Sequence, residues 1–270
     1  ILAGAGSGKT RVLTYRVAYL INEENIDPYN VLAITFTNKA AKEMKDRIIG
    51  ILGSKALGIQ ISTFHSLGVL IVKENYEKAG YKNNFTILDS DDSLTLIKKI
   101  LKELNLDPKM YNPKAIKNQI SGTKNQLLTS KEYEKYAMTD FEKVVFKVYQ
   151  KYEDKLLVNN SLDFDDLLML PIKIFRKYPE VLKHYQERFK YILIDEYQDT
   201  NEAQYTFVKM LSAKYKNICV VGDNDQSIYS FRGANYHNIL NFEKDYPNCK
   251  VIMLEKNYRS TKTILNAAND

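Results

Sequence analysis

The feature that most constrains the fold of this chain is the run Ala3-Gly4-Ala5-Gly6-Ser7-Gly8-Lys9-Thr10. It lies between an apolar strand stub, Ile1-Leu2-Ala3, and a helix-like stretch from Thr10 to Ile21. Glycines let the backbone turn with its N–H groups aimed at an anion, and the helix that follows adds its positive end. In that context Lys9 would reach the β- and γ-phosphates of a nucleotide, and the Thr10 hydroxyl would ligate Mg²⁺. The general pattern asks for Gly where Ala3 stands, so an ordinary glycine-rich strand-to-helix turn is the competing reading of this segment alone.

The rest of the chain fits a parallel sheet interrupted by a helical insert. Val31-Leu32-Ala33-Ile34 is a wholly apolar run, Asn38 to Leu52 is amphipathic, and Ile59 to Ser62 is a further short strand candidate. From about Asp89 the pattern turns helical. Asp89 or Ser90 caps a segment with Leu94, Ile97, Ile100, Leu101 and Leu104 at helical spacing, Pro113 suits a first helical turn, and Phe141 to Leu156 forms a long amphipathic helix. The strand–helix rhythm returns with Tyr191-Ile192-Leu193-Ile194, a helix from about Asn201 to Tyr215, and strands at Ile218 to Val221 and Val251 to Leu254.

The chemistry sits at the ends of those strands. Asp195-Glu196 closes the apolar run Tyr191 to Ile194, where a Walker B acid pair belongs. Asp195 would hold Mg²⁺, and Glu196 could polarise the water that attacks a γ-phosphate, a role a kinase does not need. Gln226, in Gly222-Asp223-Asn224-Asp225-Gln226, suits a γ-phosphate sensor, because a neutral amide bonds both a phosphate oxygen and water. Tyr229 and Phe231 beside Arg232, and Phe36 among Thr35, Thr37 and Asn38, could stack unpaired bases, with core packing as the alternative. Ser62-Thr63-Phe64-His65 repeats that composition after the third strand, and His65 by itself reads as a structural hydrogen-bonder.

Composition bounds the function. Hydrophobic residues make up 44% and charged residues 27%, and no apolar run of about 18 residues exists to span a bilayer. Lys and Arg number 39 against 33 Asp and Glu, a net +6 that tilts toward polyanion partners. Two cysteines and three histidines are too few for a disulfide framework or a cysteine-rich zinc site, which favours reduced thiols in a cytoplasmic protein. The start, without Met or leader, reads as the stub of a strand in an excerpt of something longer.

The ordered blocks AGAGSGKT, TFTNKAAKEM, STFHS, LDFDDL, DEYQDT, GDNDQSIYSFRGA and NYRST resemble the successive motifs of the UvrD/PcrA/Rep family of superfamily-1 DNA helicases, most like its PcrA-type members. The resemblance covers essentially all 270 residues. It implies an α/β fold, a RecA-like P-loop parallel sheet flanked by helices, with an all-helical insertion subdomain. The implied divisions are residues 1–86 and 163–253 for the two parts of the first RecA-like ATPase domain, 87–162 for the insert, and 254–270 for the start of a second RecA-like domain. It further implies ATP and Mg²⁺ as cofactors and ATP-driven 3′ to 5′ movement on single-stranded DNA and single-strand/duplex junctions. The setting would be the bacterial cytoplasm, at the nucleoid.

Residue by residue, the resemblance gives nucleotide roles to Lys9, Thr10 and Arg11, the metal to Asp195 with Thr10, and the base to Glu196. Gln226 and Arg259 would contact the γ-phosphate, and Tyr258 would stack on adenine. Thr35, Phe36, Asn38, Thr63, His65, Tyr229, Phe231 and Arg232 would line the DNA track, with Phe231 standing where many members carry Trp. Asp163 to Asp166 would be structural or coupling. The adenine-reading glutamine and the second motor domain with its arginine finger are expected outside these residues, leaving the excerpt alone nearly inactive. Two other readings stay open: a nucleic-acid-binding module with an inert nucleotide site, and a phosphate-loop kinase.

Overall fold

A computed structural model describes residues 1–4, 6–223, 238 and 241–261. The chain divides into two compact units, one of residues 1–66, 179–201 and 208–270, the other of 67–178 and 202–207. The positions 87 and 162 proposed from sequence as limits of the insert both fall inside the second unit.

The first unit is built on parallel strands. β1 (Leu2–Ala3), β2 (Val31–Thr35), β3 (Gln60–Thr63), β6 (Tyr191–Ile194), β7 (Asn217–Val220) and β8 (Met253–Leu254) belong to it, and β4 and β5 to the second unit. One sheet runs β3-β2-β6-β7, all parallel, with Leu32 opposite Gln60, Ala33 opposite Leu193, and Leu193 opposite Cys219. β1 pairs in parallel with β8, and a parallel bridge from Leu2 to Gly222 sets it beside the end of β7. All five residues of β2 are buried, as a central parallel strand covered on both faces requires.

Helices α1 (Lys9–Asn22) and α2 (Asn38–Leu52) cover one face. Leu13, Val17, Leu20 and Ile21 of α1 recur three and four residues apart and meet Met44, Ile48 and Leu52 of α2 over Val31, Ala33 and Leu193. Each such buried aliphatic side chain contributes about 1.5–3 kcal/mol. The Thr37 hydroxyl caps α2 by accepting from the Ala40 N–H at 3.1 Å, so the same short segment ends β2 and starts the helix.

In the second unit, which also holds the short helices α4 (Tyr76–Ala79) and α7 (Ser130–Tyr133), α5 (Ser90–Glu103), α6 (Pro113–Asn125) and α8 (Asp140–Val158) pack Ile97, Ile100, Leu101, Ile116, Ile120, Val145, Val148 and Tyr149 into one core. Asp89 rather than Ser90 caps α5, and Pro113 opens α6 as its fixed φ favours. A reciprocal Thr139–Glu142 capping box starts α8. This region is not wholly helical. β4 (Thr86–Ile87) and β5 (Ser161–Leu162) form a parallel pair whose two-residue strands are too short for an alternating pattern to reveal. Gly68 of α3 (Phe64–Glu74) lies against the backbone of α9 (Asp166–Lys177), where an added Cβ would stand 1.9 Å from the Leu167 carbonyl oxygen.

The turn into α9 holds a closed ion cluster. Lys124, at 0% exposure, donates to Asp163 at 2.7 Å and Asp166 at 2.8 Å, with its ammonium 5.3 Å from the Tyr152 ring centre. The two aspartates also cap each other: the Asp166 N–H donates to the Asp163 carboxylate and the Asp163 N–H to that of Asp166. Burial works against the Lys124 charge, but Asp163 and Asp166 outweigh it and keep the ammonium protonated well beyond its usual range. Burial also opposes the Asp163 carboxylate, which the ammonium nevertheless holds below its ordinary value, while burial and then the Asp163 charge push Asp166 up to about 7. Lys124→Met should therefore cost about 3–5 kcal/mol at pH 8, because two buried carboxylates lose their counter-charge. The deficit should shrink toward pH 5, where they escape by protonation; chemical denaturation at both pH values checks this, and an equal loss at each would assign the effect to packing.

Candidate functional site

Parallel pairing sends the segments after β1, β6, β7 and β8 to one edge of the sheet, and there the predicted nucleotide residues meet. Gly8, at φ +91°, is the N-cap of α1 and offers no side chain, so the first-turn N–H groups have no side-chain cap. Gly6 takes φ +72°, a region costly for other residues. Ser7 closes the turn by donating its hydroxyl to the Gly4 carbonyl at 2.7 Å. Gly4, Gly6, Ser7, Gly8, Lys9 and Thr10 thus form one loop around a helix N-terminus, with Ala3 as the last residue of β1; Ala5 lies outside the described residues.

Across the sheet edge the Thr10 hydroxyl donates to Asp195 Oδ2 at 2.7 Å. Lys9, 8% exposed, lies 3.8 Å from Glu196 Oε2 and 3.6 Å from Asp223 Oδ2. Glu196 stands at φ +50°, a left-handed backbone unusual for a residue with a side chain, just before the short turn Tyr197–Asp199. Gln198 donates to Glu196 Oε2 at 2.8 Å and accepts from the Asp223 N–H at 3.0 Å. Gln198 and Asp223 belong to blocks visible in the sequence, yet nothing in their spacing gave them a part. Their pairing depends on β6 and β7 being neighbours.

After β8, the Tyr258 N–H donates to the Gly6 carbonyl at 2.9 Å, and the Asn257 side chain accepts from the N–H groups of Arg259 and Ser260. A Cβ at Gly6 would lie 2.6 Å from that of Arg259. Tyr258 and Arg259 are therefore brought to the phosphate loop, the Tyr258 ring exposed beside Lys256. Arg11, in the first turn of α1, lies over the Tyr15 ring instead.

The predicted DNA residues that are described occupy the same edge farther along. Thr35 and Thr63 end the neighbouring strands β2 and β3 in register. The Thr35 hydroxyl donates to the Thr37 carbonyl, and Thr63 accepts from the Ser66 N–H. Phe36 is half-buried and meets Phe64 edge to face at 5.6 Å, so part of the ring is packed and part is open. Asn38, the first residue of α2, is exposed, and His65 is half-buried, which keeps it neutral to lower pH than an ordinary histidine. Gln226, Tyr229, Phe231 and Arg232 lie outside the described residues.

The donor set suits Mg²⁺. Thr10 and Asp195 present oxygen ligands side by side, and Mg²⁺ typically takes one or two protein carboxylates and completes its shell with water and phosphate. Among the described residues no three His, Cys, Asp or Glu side chains gather as a metal cage, and no helix is long and apolar enough to cross a membrane. Burial, more than the neighbouring Glu196, raises Asp195 above its ordinary value, against the pull of the Thr10 hydroxyl.

Asp199 is pushed up to about 6 by burial and then by Glu196. Among the described residues, one of its carboxylate oxygens is buried without a hydrogen-bond partner. A carboxyl raised on folding stabilises the protein below its unfolded value near 3.8 and loses that contribution as pH climbs through about 6. Asp199→Asn should therefore match the parent in melting temperature near pH 4 and exceed it by pH 7, while parallel melting curves across that window would contradict the assignment.

The chain matches the sequence profile of the UvrD/REP helicase N-terminal domain over residues 1–247. It is 58% identical over all 270 residues to the ATP-dependent DNA helicase PcrA of Bacillus subtilis, covering 36% of that protein. It is 55% identical over its whole length to the protein of the same name from Staphylococcus aureus (strain Mu50), of which it covers 37%. The chain thus spans little more than a third of the length of these relatives. A phosphate loop, an acid pair and a returning Asn-Tyr-Arg segment meet at one sheet edge, and the profile match spans most of the chain: it belongs to the UvrD/REP helicase N-terminal domain family.

Proposed function

We propose that this chain is the ATP-binding part of an ATP-dependent 3′ to 5′ DNA helicase, which couples ATP hydrolysis to movement along single-stranded DNA. The observation that carries the reading is the meeting of Lys9, Thr10, Asp195 and Glu196 at the uncapped N-terminus of α1. The names of the PcrA relatives support the same activity and DNA as the substrate.

In this reading the loop 3–10 and the N-terminus of α1 cradle the phosphates, and Lys9 exchanges its carboxylate partners for phosphate oxygens. Thr10 and Asp195 hold Mg²⁺, which supplies charge neutralisation at the phosphates. Glu196 accepts the proton of the attacking water. Tyr258 and Arg259 face the nucleotide from the segment after β8, Arg11 from α1, and Gln226 senses the γ-phosphate. Thr35, Phe36, Asn38, Thr63 and His65, with Tyr229, Phe231 and Arg232, form the single-strand track, and the same edge of one sheet links it to the nucleotide. Residues 254–270 lead toward a second motor domain that completes the site, and single-strand/duplex junctions in the cytoplasm are the substrate. An acid pair adjacent to the phosphate loop favours hydrolysis over transfer to an acceptor, which separates this reading from a kinase.

In the full-length protein, Glu196→Gln should bind ATP with Mg²⁺ nearly as the parent does but hydrolyse it at least about a hundredfold more slowly, as expected on losing the water-activating base. Lys9→Ala should lose nucleotide affinity as well as turnover. Equilibrium binding and DNA-stimulated phosphate release distinguish the two, and near-normal turnover by Glu196→Gln would overturn the base assignment.

A further inference from the structure

The Glu196 side chain is more open to solvent than the Lys9 and Asp223 side chains beside it. It follows the end of β6, has a left-handed backbone, and is more than a third exposed, with a relative side-chain accessibility of 37%. Its Lys9 contact at 3.8 Å is long, and a phosphate would compete for that ammonium. The short bond it makes is to Gln198, at 2.8 Å.

Gln198 is 1% exposed and reaches in two directions. Its Oε1 accepts from the Asp223 N–H, and its Nε2 donates to Glu196 Oε2 and, at 3.4 Å, to Asp199 Oδ2. Chemistry determines the orientation of this amide: the backbone N–H only donates and the carboxylates only accept, so a flipped amide would lose all three bonds. The turn carrying it is stitched to the end of β7 a second time, by the Tyr197 N–H on the Val221 carbonyl at 2.9 Å. Glu196 is therefore held through one rigid side chain to the backbone of the neighbouring strand's exit.

We infer that Gln198 is a positioning residue for ATP hydrolysis, holding the Glu196 carboxylate at a set place relative to the β7 exit. This rests on the assignment of Glu196 as the base. Gln198 makes no contact with substrate in this role; it acts through Glu196. Because an amide carries no charge, it orients the carboxylate without neutralising it, as an ammonium would.

The test is a double-mutant cycle in the full-length protein, reading ATP turnover at saturating nucleotide and DNA together with the nucleotide dissociation constant. Gln198→Met keeps side-chain volume and removes all three bonds. In the parent background it should lower kcat about tenfold, in keeping with the rate losses of about 10²-fold that a misplacement near 1 Å can cause. Its nucleotide dissociation constant should stay within about twofold. In the Glu196→Gln background the same substitution should change kcat less than about twofold, since no carboxylate remains to be positioned.

Equal losses in both backgrounds, or a loss confined to nucleotide affinity, would overturn the proposal and leave Gln198 a structural residue. If Gln198→Met does not bind nucleotide stoichiometrically, Gln198→Leu takes its place in the cycle: it also removes the donor to Glu196 without adding a charge beside that carboxylate, and the same non-additivity is expected. Normal turnover by Glu196→Gln overturns the base assignment itself. An impaired Glu196→Gln beside a fully active Gln198→Met overturns only the positioning.

Discussion

Parallel strand pairing is the constraint on which the candidate site depends. When strands run in one direction, every segment leaving a strand emerges at the same edge, however far apart the segments are in sequence. Residues 3, 4, 6–10, 195–199, 221–223 and 254–260 meet for that reason. The strand order adds a second restriction, because the β7 exit lies between β1, which leads into the phosphate loop, and β6, which leads into the acid pair. Thr10 reaches Asp195 across that interval from the first turn of α1, while the exit of β7 supplies the Asp223 carboxylate to Lys9 and its N–H to Gln198.

The electrostatics of this edge favour cationic company. Asp195, Glu196, Asp199 and Asp223 crowd around the Lys9 ammonium, and burial raises Asp195 and Asp199 above their ordinary values. Carboxyls pushed upward in this way stand where charge is accumulated at a cost in stability. A divalent cation beside Thr10 and Asp195 would relieve that cost, and the oxygen-only donors suit a hard ion. The left-handed backbone of Glu196 belongs to the same pattern, a local strain sustained because the flanking residues are tied down, Asp195 to Ile34 of β2 and Tyr197 to Val221 at the exit of β7.

The second unit uses similar groups to a different end. Lys124 is wholly buried and closed on both sides by Asp163 and Asp166, whose backbone N–H groups complete the cluster. With its donors engaged inside the fold, the ammonium ties α6 to the turn that opens α9. Lys9, by contrast, has among the described residues carboxylate contacts of 3.6 and 3.8 Å at an edge. The same side-chain chemistry is structural where hydrogen bonds close it and available for a ligand where they do not.

The amino-acid sequence determined the local parts. Glycines 4, 6 and 8 ahead of Lys9 and Thr10, the apolar runs that became β2, β6 and β7, a cap at Asp89 or Ser90, and Pro113 in a first helical turn are short-range signals, because turn geometry and hydrophobic period involve neighbours within a few residues. The tertiary structure decided what each part meets. Gln198 pairs with Glu196 and Asp223, Tyr258 docks on Gly6, and Lys124 finds Asp163 and Asp166 some forty residues away. Such contacts depend on strand order and helix packing, and neither leaves a local trace in the chain. The two-residue strands β4 and β5 were hidden for the same reason: their pairing is set by the ends of long helices, and too few residues are involved for any alternation to show.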